Sequence, residues 1–186
     1  MELRIYLPAS ILFPTAVPVQ IPIGAEENFK GVMANKSFDT YYLDNTYGTT
    51  QVGDNGIEND YQSKMTTLGY KIYAHVDSDT IQYWFFYAFN GGDLNRHEGD
   101  WEMIQVVLSA GQPTEVMFSQ HYAGQSATWN QVEKDGDHVK VYVARGSHAN
   151  YIKPYSGKIG LASDQVGDNG KILRPITDYG VIVLDE

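Results

Sequence analysis

Metal-binding side chains are concentrated in the short segment Arg96-His-Glu-Gly-Asp-Trp-Glu102. His97, Asp100 and Glu102 supply one imidazole and two carboxylates, a mixed set that suits Mg²⁺, Ca²⁺ or Mn²⁺ and is less specific for Zn²⁺. Asp93, in the turn before this segment, is a further candidate ligand. The spacing therefore predicts one divalent-cation site, with Mg²⁺ or Ca²⁺ as the favoured ion.

The strand that follows is expected to point carboxylates toward the core. Residues 101–108 have strand composition, and strand side chains alternate between two faces. Glu102 thus shares a face with the apolar residues of this strand, and Asp100 has the same parity, roughly 6 to 7 Å away. Because a buried carboxylate is normally paired or metal-bound, Glu102 is expected to have such a partner. The alternative is a surface turn with an ion pair to Arg96.

Two further histidines follow predicted strands, His121 after Ser119-Gln and His148 after Gly146-Ser. In an antiparallel sandwich these strand ends can meet at one rim, so both are candidate acid/base residues of a shared cleft. Taken alone, each also fits a histidine that is satisfied within the core. A serine triad built on Ser119 or Ser147 is a weaker alternative, since neither lies in a nucleophile-elbow glycine pattern.

Composition narrows the class of protein. The chain has 186 residues, no cysteine and a formal net charge of -10. Thiol catalysis and thiolate metal sites are excluded, and the compartment stays open. The acidic balance argues against a nucleic-acid partner, which needs clustered lysine and arginine. Four prolines interrupt the apolar first 23 residues, so we expect no transmembrane segment.

The segments that must position these residues predict an all-β fold. Residues 1–69 form an irregular N-terminal part with one short helix near 60–65 and an edge strand at Leu3–Leu7, and residues 70–186 form the motif-bearing core. A hairpin is expected around Asp77–Asp79. We predict a single domain, an antiparallel β-sandwich with long decorated loops and no helix of twelve residues. The predicted core strands are 70–76, 80–89, 101–108, 114–121, 138–145 and 181–184.

Three motifs in the core suggest a relative. They are Tyr83–Tyr87, His97–Glu102 and Val141–Tyr151. With them, residues 70–175 resemble the vacuolar protein sorting-associated protein 62 family, whose biochemical activity is poorly defined. The resemblance implies a shared fold and no particular reaction.

A more distant similarity implies a mechanism. His97-x-x-Asp-Trp-Glu102 and Ser119-Gln-His-x-x-Gly124 are similar to motifs of the necrosis-inducing cytolysins, secreted β-sandwich proteins that hold Mg²⁺ or Ca²⁺ and engage glycosylated sphingolipid headgroups. This similarity implies Asp100 as a direct ligand and His97 and Glu102 as direct or water-mediated ligands, and it favours secretion over a cytoplasmic location. The additional aspartate of those proteins falls at Phe89 here, so either Asp93 replaces it or the coordination differs.

Three functions remain open at this level. The first is a metal-binding, toxin-like effector that engages glycosylated or phosphorylated headgroups at a membrane surface. The second is a metal-dependent hydrolase of glycans or phosphodiesters, with His121 or His148 as acid/base. The third is a non-catalytic sorting or adhesion module.

Overall fold

The computed structural model describes residues 3–7, 17–21, 42–45, 55–68, 70–92, 96–121, 123–155, 158–160, 162–174 and 179–184. Strands dominate these residues, so the all-β prediction is confirmed. The largest element is a six-stranded sheet, in the order β15-β4-β5-β6-β7-β8. Its strands are β4 (Tyr70–Asp77), β5 (Thr80–Asn90), β6 (His97–Ser109), β7 (Gln112–Gln120), β8 (Ala123–Thr128) and β15 (Tyr179–Leu184).

The five consecutive strands of this sheet pair antiparallel. The predicted hairpin is present, with Ser78 and Asp79 forming the turn between β4 and β5. β15 departs from the predicted antiparallel arrangement because it pairs parallel with β4, placing Val181 beside Ile72. The sheet is therefore mixed, with β15 at one edge and β8 at the other.

One face of the sheet carries the main apolar core. Ile104, Val106, Val116 and Phe118 project from β6 and β7 and are buried together with Val132. Residues 129–152 supply partly buried side chains that pack against this cluster. We call this face the inner face. Asp100 and Glu102 lie on it because they share the parity of Ile104 along β6.

Short two-stranded ladders follow the sheet. Chain turns between them bring distant backbone groups together, as where Arg145 N donates to Gln165 O at 2.9 Å. A second, smaller core lies here, built around Ala144, Ala149, Tyr151 and Val166. The strands are β9 (Lys134–Asp135), β10 (His138–Val139), β11 (Tyr142–Val143), β12 (Asn150–Tyr151), β13 (Lys158–Ile159) and β14 (Asp164–Gln165).

The N-terminal part contains a sheet of its own. β1 (Leu3–Leu7) lies between β2 (Val17–Ile21) and β3 (Tyr42–Asn45) in antiparallel pairing. Leu3–Leu7 is therefore a central strand, and its prediction as an edge strand was wrong. The helix α1 spans Asn55–Leu68 and contacts β5. It has 14 residues, so the predicted length of the short helix near 60–65 and the prediction of no helix of twelve residues were wrong. Within the described part of the chain, no helix is long and apolar enough to cross a membrane.

Two strand predictions also need correction. The predicted strand 138–145 is wrong, because only His138–Val139 and Tyr142–Val143 form ladders, and each is two residues long. Gly146, at a φ of 84°, turns the chain there so that Ala144 N bonds to Ala149 O. β8 was not predicted because its sequence, Ala-Gly-Gln-Ser-Ala-Thr, lacks the β-branched and aromatic residues that favour strands.

Candidate functional site

Two carboxylates project from the first half of β6 into the protein. Asp100 is 8% exposed and Glu102 is 6% exposed, while Trp101 between them is 49% exposed on the opposite face. This alternation is the one that the strand parity predicted. β6 begins at His97, so the predicted turn residue His97 belongs to the same strand.

Asp100 is held by two histidines and an asparagine. Its Oδ1 lies 3.3 Å from His97 Nε2, and its Oδ2 lies 2.9 Å from His148 Nδ1. Asn90 Nδ2 also donates to Oδ2, at 3.1 Å. Burial acts to raise the pKa of Asp100, but the hydrogen bond and charge of His148, followed by those of His97, outweigh it and hold the pKa below its usual value. Asp100 is therefore ionised at neutral pH.

Glu102 has the opposite character. Burial raises its pKa from 4.5 to about 7; the hydrogen bond from Ser119 opposes the increase, and the negative charge of Asp100 adds to it. Ser119 Oγ donates a short hydrogen bond to Glu102 Oε2 and accepts one from Met103 N at 2.9 Å. Glu102 thus exchanges its proton near neutral pH, within a fixed hydrogen-bond arrangement.

A third carboxylate, Asp164, reaches the same region from β14. It is 3% exposed. Its Oδ1 accepts a hydrogen bond from Ser147 Oγ at 2.5 Å, and its Oδ2 accepts one from Tyr151 OH at 2.7 Å and lies 2.8 Å from His121 Nε2. Burial acts to raise the pKa of Asp164, but these hydrogen bonds hold it below its usual value. Asp164 is ionised. Its hydrogen bonds connect β14 with Tyr151 of β12 and with His121, the residue that follows β7.

The two site histidines lie in a conformation that non-glycine residues rarely adopt. Among the described residues, four non-glycine residues have a positive φ. Three of them are at this site or beside it, namely His121 (53°), His148 (59°) and Ser163 (57°). Such residues cost on the order of 1–3 kcal/mol each and cluster at functional sites. The strain supports a functional assignment for this region.

Tyr87 fixes the orientation of His148. The two rings stack with centroids 3.9 Å apart and an interplanar angle of 1°. Burial, with the negative charges of Glu102 and Asp100, raises the pKa of the Tyr87 phenol, so it stays neutral at physiological pH. A neutral, stacked tyrosine leaves one face of the imidazole covered and its Nδ1 directed at Asp100.

Among the residues that the structure describes, no lysine or arginine forms an ion pair with the carboxylates of the site. Asp100 and Asp164 have only histidines as ion partners among the described residues, and Glu102 has none. A histidine changes its charge near neutral pH, unlike lysine or arginine.

The side chains of the site are of the types that bind a hard divalent cation, although they contact one another. Asn150 is fully buried, and its Oδ1 has no hydrogen-bond partner while its Nδ2 reaches Met103 O and Ser119 Oγ. The Asn150 side-chain amide and the Glu102 carboxylate both contact Ser119, and both supply oxygen atoms of the kind that Mg²⁺ and Ca²⁺ prefer. Across the described residues, no group of three or more His, Asp or Glu side chains is arranged around one point as metal ligands.

The structure brings only some of the predicted site residues together. His97 and His148 both contact Asp100, whereas His121 contacts Asp164. Asp93 lies outside the described residues. In place of a serine triad, Ser147 Oγ donates to Asp164 Oδ1, and the other oxygen of this carboxylate lies 2.8 Å from His121 Nε2. The hydroxyl therefore donates to a carboxylate and not to a histidine. The sequence carried no signal for Asp164, which lies in a segment without strand or motif character.

A polar cavity of about 280 Å³ adjoins Asp164. We call it the Arg145 cavity. Its lining residues come from α1, from the end of β5, from the turn after β11 and from the segment around β14. They are Glu58, Gly91, Gly92, Arg145, Gly146, Ser147, Ala162, Ser163, Asp164 and Gln165.

Comparisons with known proteins do not assign this site. A scan of protein-family models, a search of curated proteins and a search of solved structures each gave no match to the chain. The function is therefore inferred from the arrangement of Asp100, Glu102 and Asp164, and of the histidines that contact Asp100 and Asp164.

Proposed function

We propose that the protein binds one divalent cation at Asp100 and Glu102 and uses this site to engage a glycosylated or phosphorylated headgroup at a membrane surface. One observation carries the proposal: of the two buried carboxylates on the same face of β6, Asp100 has only histidines as ion partners among the described residues, and Glu102 has none. Burying like charges without a permanent counter-charge is costly, and a bound cation removes that cost.

The residues that would hold the cation are Asp100, Glu102 and His97, with the Asn150 carbonyl oxygen as a further donor. A hard cation at this position would attract hydroxyl or phosphate oxygens of a headgroup. His148 and Tyr87 hold the Asp100 side chain in place, and Ser119 does the same for Glu102. The strained His121 and His148 would contribute hydrogen bonds to the headgroup.

The charge of the whole chain supports a cation-dependent contact. A net charge of -10 repels anionic lipid, so adsorption to phosphatidylserine alone is unfavourable. Specificity would come from the headgroup that completes the coordination of the cation. Binding is therefore expected to require both the cation and a suitable headgroup.

The test is association with vesicles of three compositions: glycosylated sphingolipid, plain phosphatidylcholine and phosphatidylserine. Each is measured with Ca²⁺ or Mg²⁺ and with chelator, and dye leakage in the same samples reports a toxin-like activity. Binding to the glycosylated vesicles is expected only with the cation and is expected to be lost in Asp100→Asn. The control Asp137→Asn changes an exposed turn residue and should bind as the unchanged protein does. Equal binding to all three surfaces, or binding that survives chelator and Asp100→Asn, refutes the proposal.

A hydrolase is the second candidate, and one observation favours it. The pKa of Glu102 is raised while the pKa values of Asp100 and Asp164 are lowered. Neighbouring carboxyl groups whose pKa values move apart are the arrangement that provides a general acid beside an ionised base. Turnover of a panel of glycans and phosphodiesters, lost in His121→Gln or His148→Gln, would establish this activity. Headgroup binding with neither turnover nor leakage would indicate a sorting or adhesion module.

A further inference from the structure

The Arg145 cavity presents two opposite charges that do not neutralise each other. Glu58 and Arg145 both line it. Among the described residues, no ion pair within 4.0 Å joins these two side chains or links either to a third residue. Oppositely charged groups on one cavity wall normally pair when they can reach each other, so their separation leaves both available to a ligand.

The backbone holds the two charges in position. Arg145 N donates to Gln165 O at 2.9 Å, and Gly91 N donates to Gly146 O at 2.9 Å, which joins the turn of Arg145 to the end of β5. Glu58 Oε2 lies 3.8 Å from the position that a Cβ on Gly91 would occupy. The Glu58 carboxylate of α1 thus lies near Gly91, on a cavity wall that Gly91, Gly92 and the turn at Arg145 form together.

Glycines keep this wall thin. A Cβ on Gly92 would lie 3.1 Å from Ser147 Cβ, and one on Gly146 would lie 3.2 Å from the Gly91 carbonyl carbon. Gly146 also has a φ of 84°, which disfavours any side chain. The positive φ and the close backbone contact therefore favour glycine at Gly146, whereas a side chain at Gly92 would push against Ser147 and Asn90. The adjoining space is lined by polar groups.

We propose that the Arg145 cavity binds a small zwitterion, with its phosphate or carboxylate at Arg145 and its ammonium group at Glu58. Arginine forms charge-assisted, bidentate hydrogen bonds with such oxyanions, and a carboxylate accepts them from ammonium. The ionised Asp164 also lines the cavity and adds a second negative charge to its wall. A volume of about 280 Å³ is near the lower end of small-molecule pockets, so a headgroup-sized molecule fits.

This inference goes beyond the proposed function, because the ligand contacts Arg145 and Glu58 and requires no cation. The chemistry it names has two sources, a lipid headgroup such as phosphoethanolamine and a free amino acid. Phosphoethanolamine and β-alanine serve as the two probes, and inorganic phosphate and ethanolamine each carry only one of the two charges. Calorimetric titration in chelator measures all four.

A zwitterion is expected to bind at least about tenfold more tightly than phosphate or ethanolamine alone, the gain expected from one added charge-assisted hydrogen bond. Arg145→Gln and Glu58→Gln should each remove about that factor. The matched controls Lys140→Gln and Glu115→Gln change an exposed lysine and a partly exposed glutamate outside the cavity and should leave the affinity unchanged. Tighter binding of phosphoethanolamine than of β-alanine assigns the lipid source, and the reverse assigns the amino acid.

Two results would overturn the inference. One is the absence of binding by both zwitterions, and the other is binding that Arg145→Gln and Glu58→Gln leave intact. Neither result bears on the cation, because these titrations contain chelator. Conversely, cation-independent association with vesicles would refute the proposed function and leave zwitterion binding at the cavity in place.

Discussion

Replacing Glu102 by glutamine should change how stability depends on pH. The folded protein holds the Glu102 proton more tightly than the unfolded chain, since burial raises the pKa from 4.5 to about 7. The resulting stability is fully present below pH 4.5 and is lost as the pH rises through about 7. Glutamine is neutral at every pH and can still accept the hydrogen bond from Ser119. The Glu102→Gln protein therefore does not lose this stability as the pH rises.

The size of the effect follows from the shift. A shift of about 2.5 pKa units corresponds to about 3 kcal/mol at roughly 1.4 kcal/mol per unit. Between pH 4 and pH 8, the unfolding free energy of Glu102→Gln should therefore rise by about 3 kcal/mol relative to that of the unchanged protein. For a chain of this length, that change corresponds to a relative increase in Tm of roughly 6–12 °C.

Urea unfolding of both proteins at pH 4 and pH 8, in chelator, measures this difference. Chelator is needed because a cation at Glu102 would stabilise the ionised carboxylate and reduce the effect. Glu115→Gln is the matched control, because Glu115 is a partly exposed residue of β7 outside the site. A stability difference between Glu102→Gln and the unchanged protein that is the same at both pH values would refute the buried, proton-exchanging Glu102 described above.

The other predictions concern the network, the core and the cation. Asp164→Asn should destabilise the protein by roughly 1.5–3 kcal/mol at pH 7, because buried groups lose a charged partner; the difference should shrink as the pH falls and Asp164 is protonated, and a constant difference would contradict this account. Phe118→Ala, at a fully buried position, should cost about 3–5 kcal/mol in urea unfolding, whereas Met117→Ala, 45% exposed on the same strand, should cost less than about 1 kcal/mol; similar costs would contradict the assigned inner face. Asp100→Asn should weaken cation binding in calorimetric titration more than His121→Ala does, and the reverse order would move the cation toward Asp164.

The sequence was sufficient for the part of the site that lies on one strand. Alternation along β6 placed Asp100 and Glu102 inward because the period of a strand is local and independent of tertiary contacts. His97 is associated with them by the His-x-x-Asp-x-Glu spacing; the sequence predicts it in a turn, whereas it is the first residue of β6. Strand composition also located β4 and β5, whose aromatic and β-branched residues leave little ambiguity.

The remainder of the site depends on contacts between segments that are far apart in the chain. Asp164 reaches His121 through the fold, and no periodicity in residues 158–174 indicates its burial. The strained conformations of His121 and His148 are likewise imposed by their surroundings, since neither residue favours a positive φ. The parallel pairing of β15 could not be predicted from an apolar run that also fits an antiparallel strand.

That parallel pairing has a kinetic consequence. Tyr179–Leu184 lies far from Tyr70–Asp77 in the chain, whereas β4 to β8 are joined to one another by short connections. Contacts between distant segments form slowly because a large loop must close first. During synthesis, β4 is therefore an open edge until residues 179–184 emerge from the ribosome, and any other extended segment can pair with it in that interval. Refolding is expected to end with a slow phase in which β15 docks, and a peptide with the sequence of residues 179–184 should compete with that step.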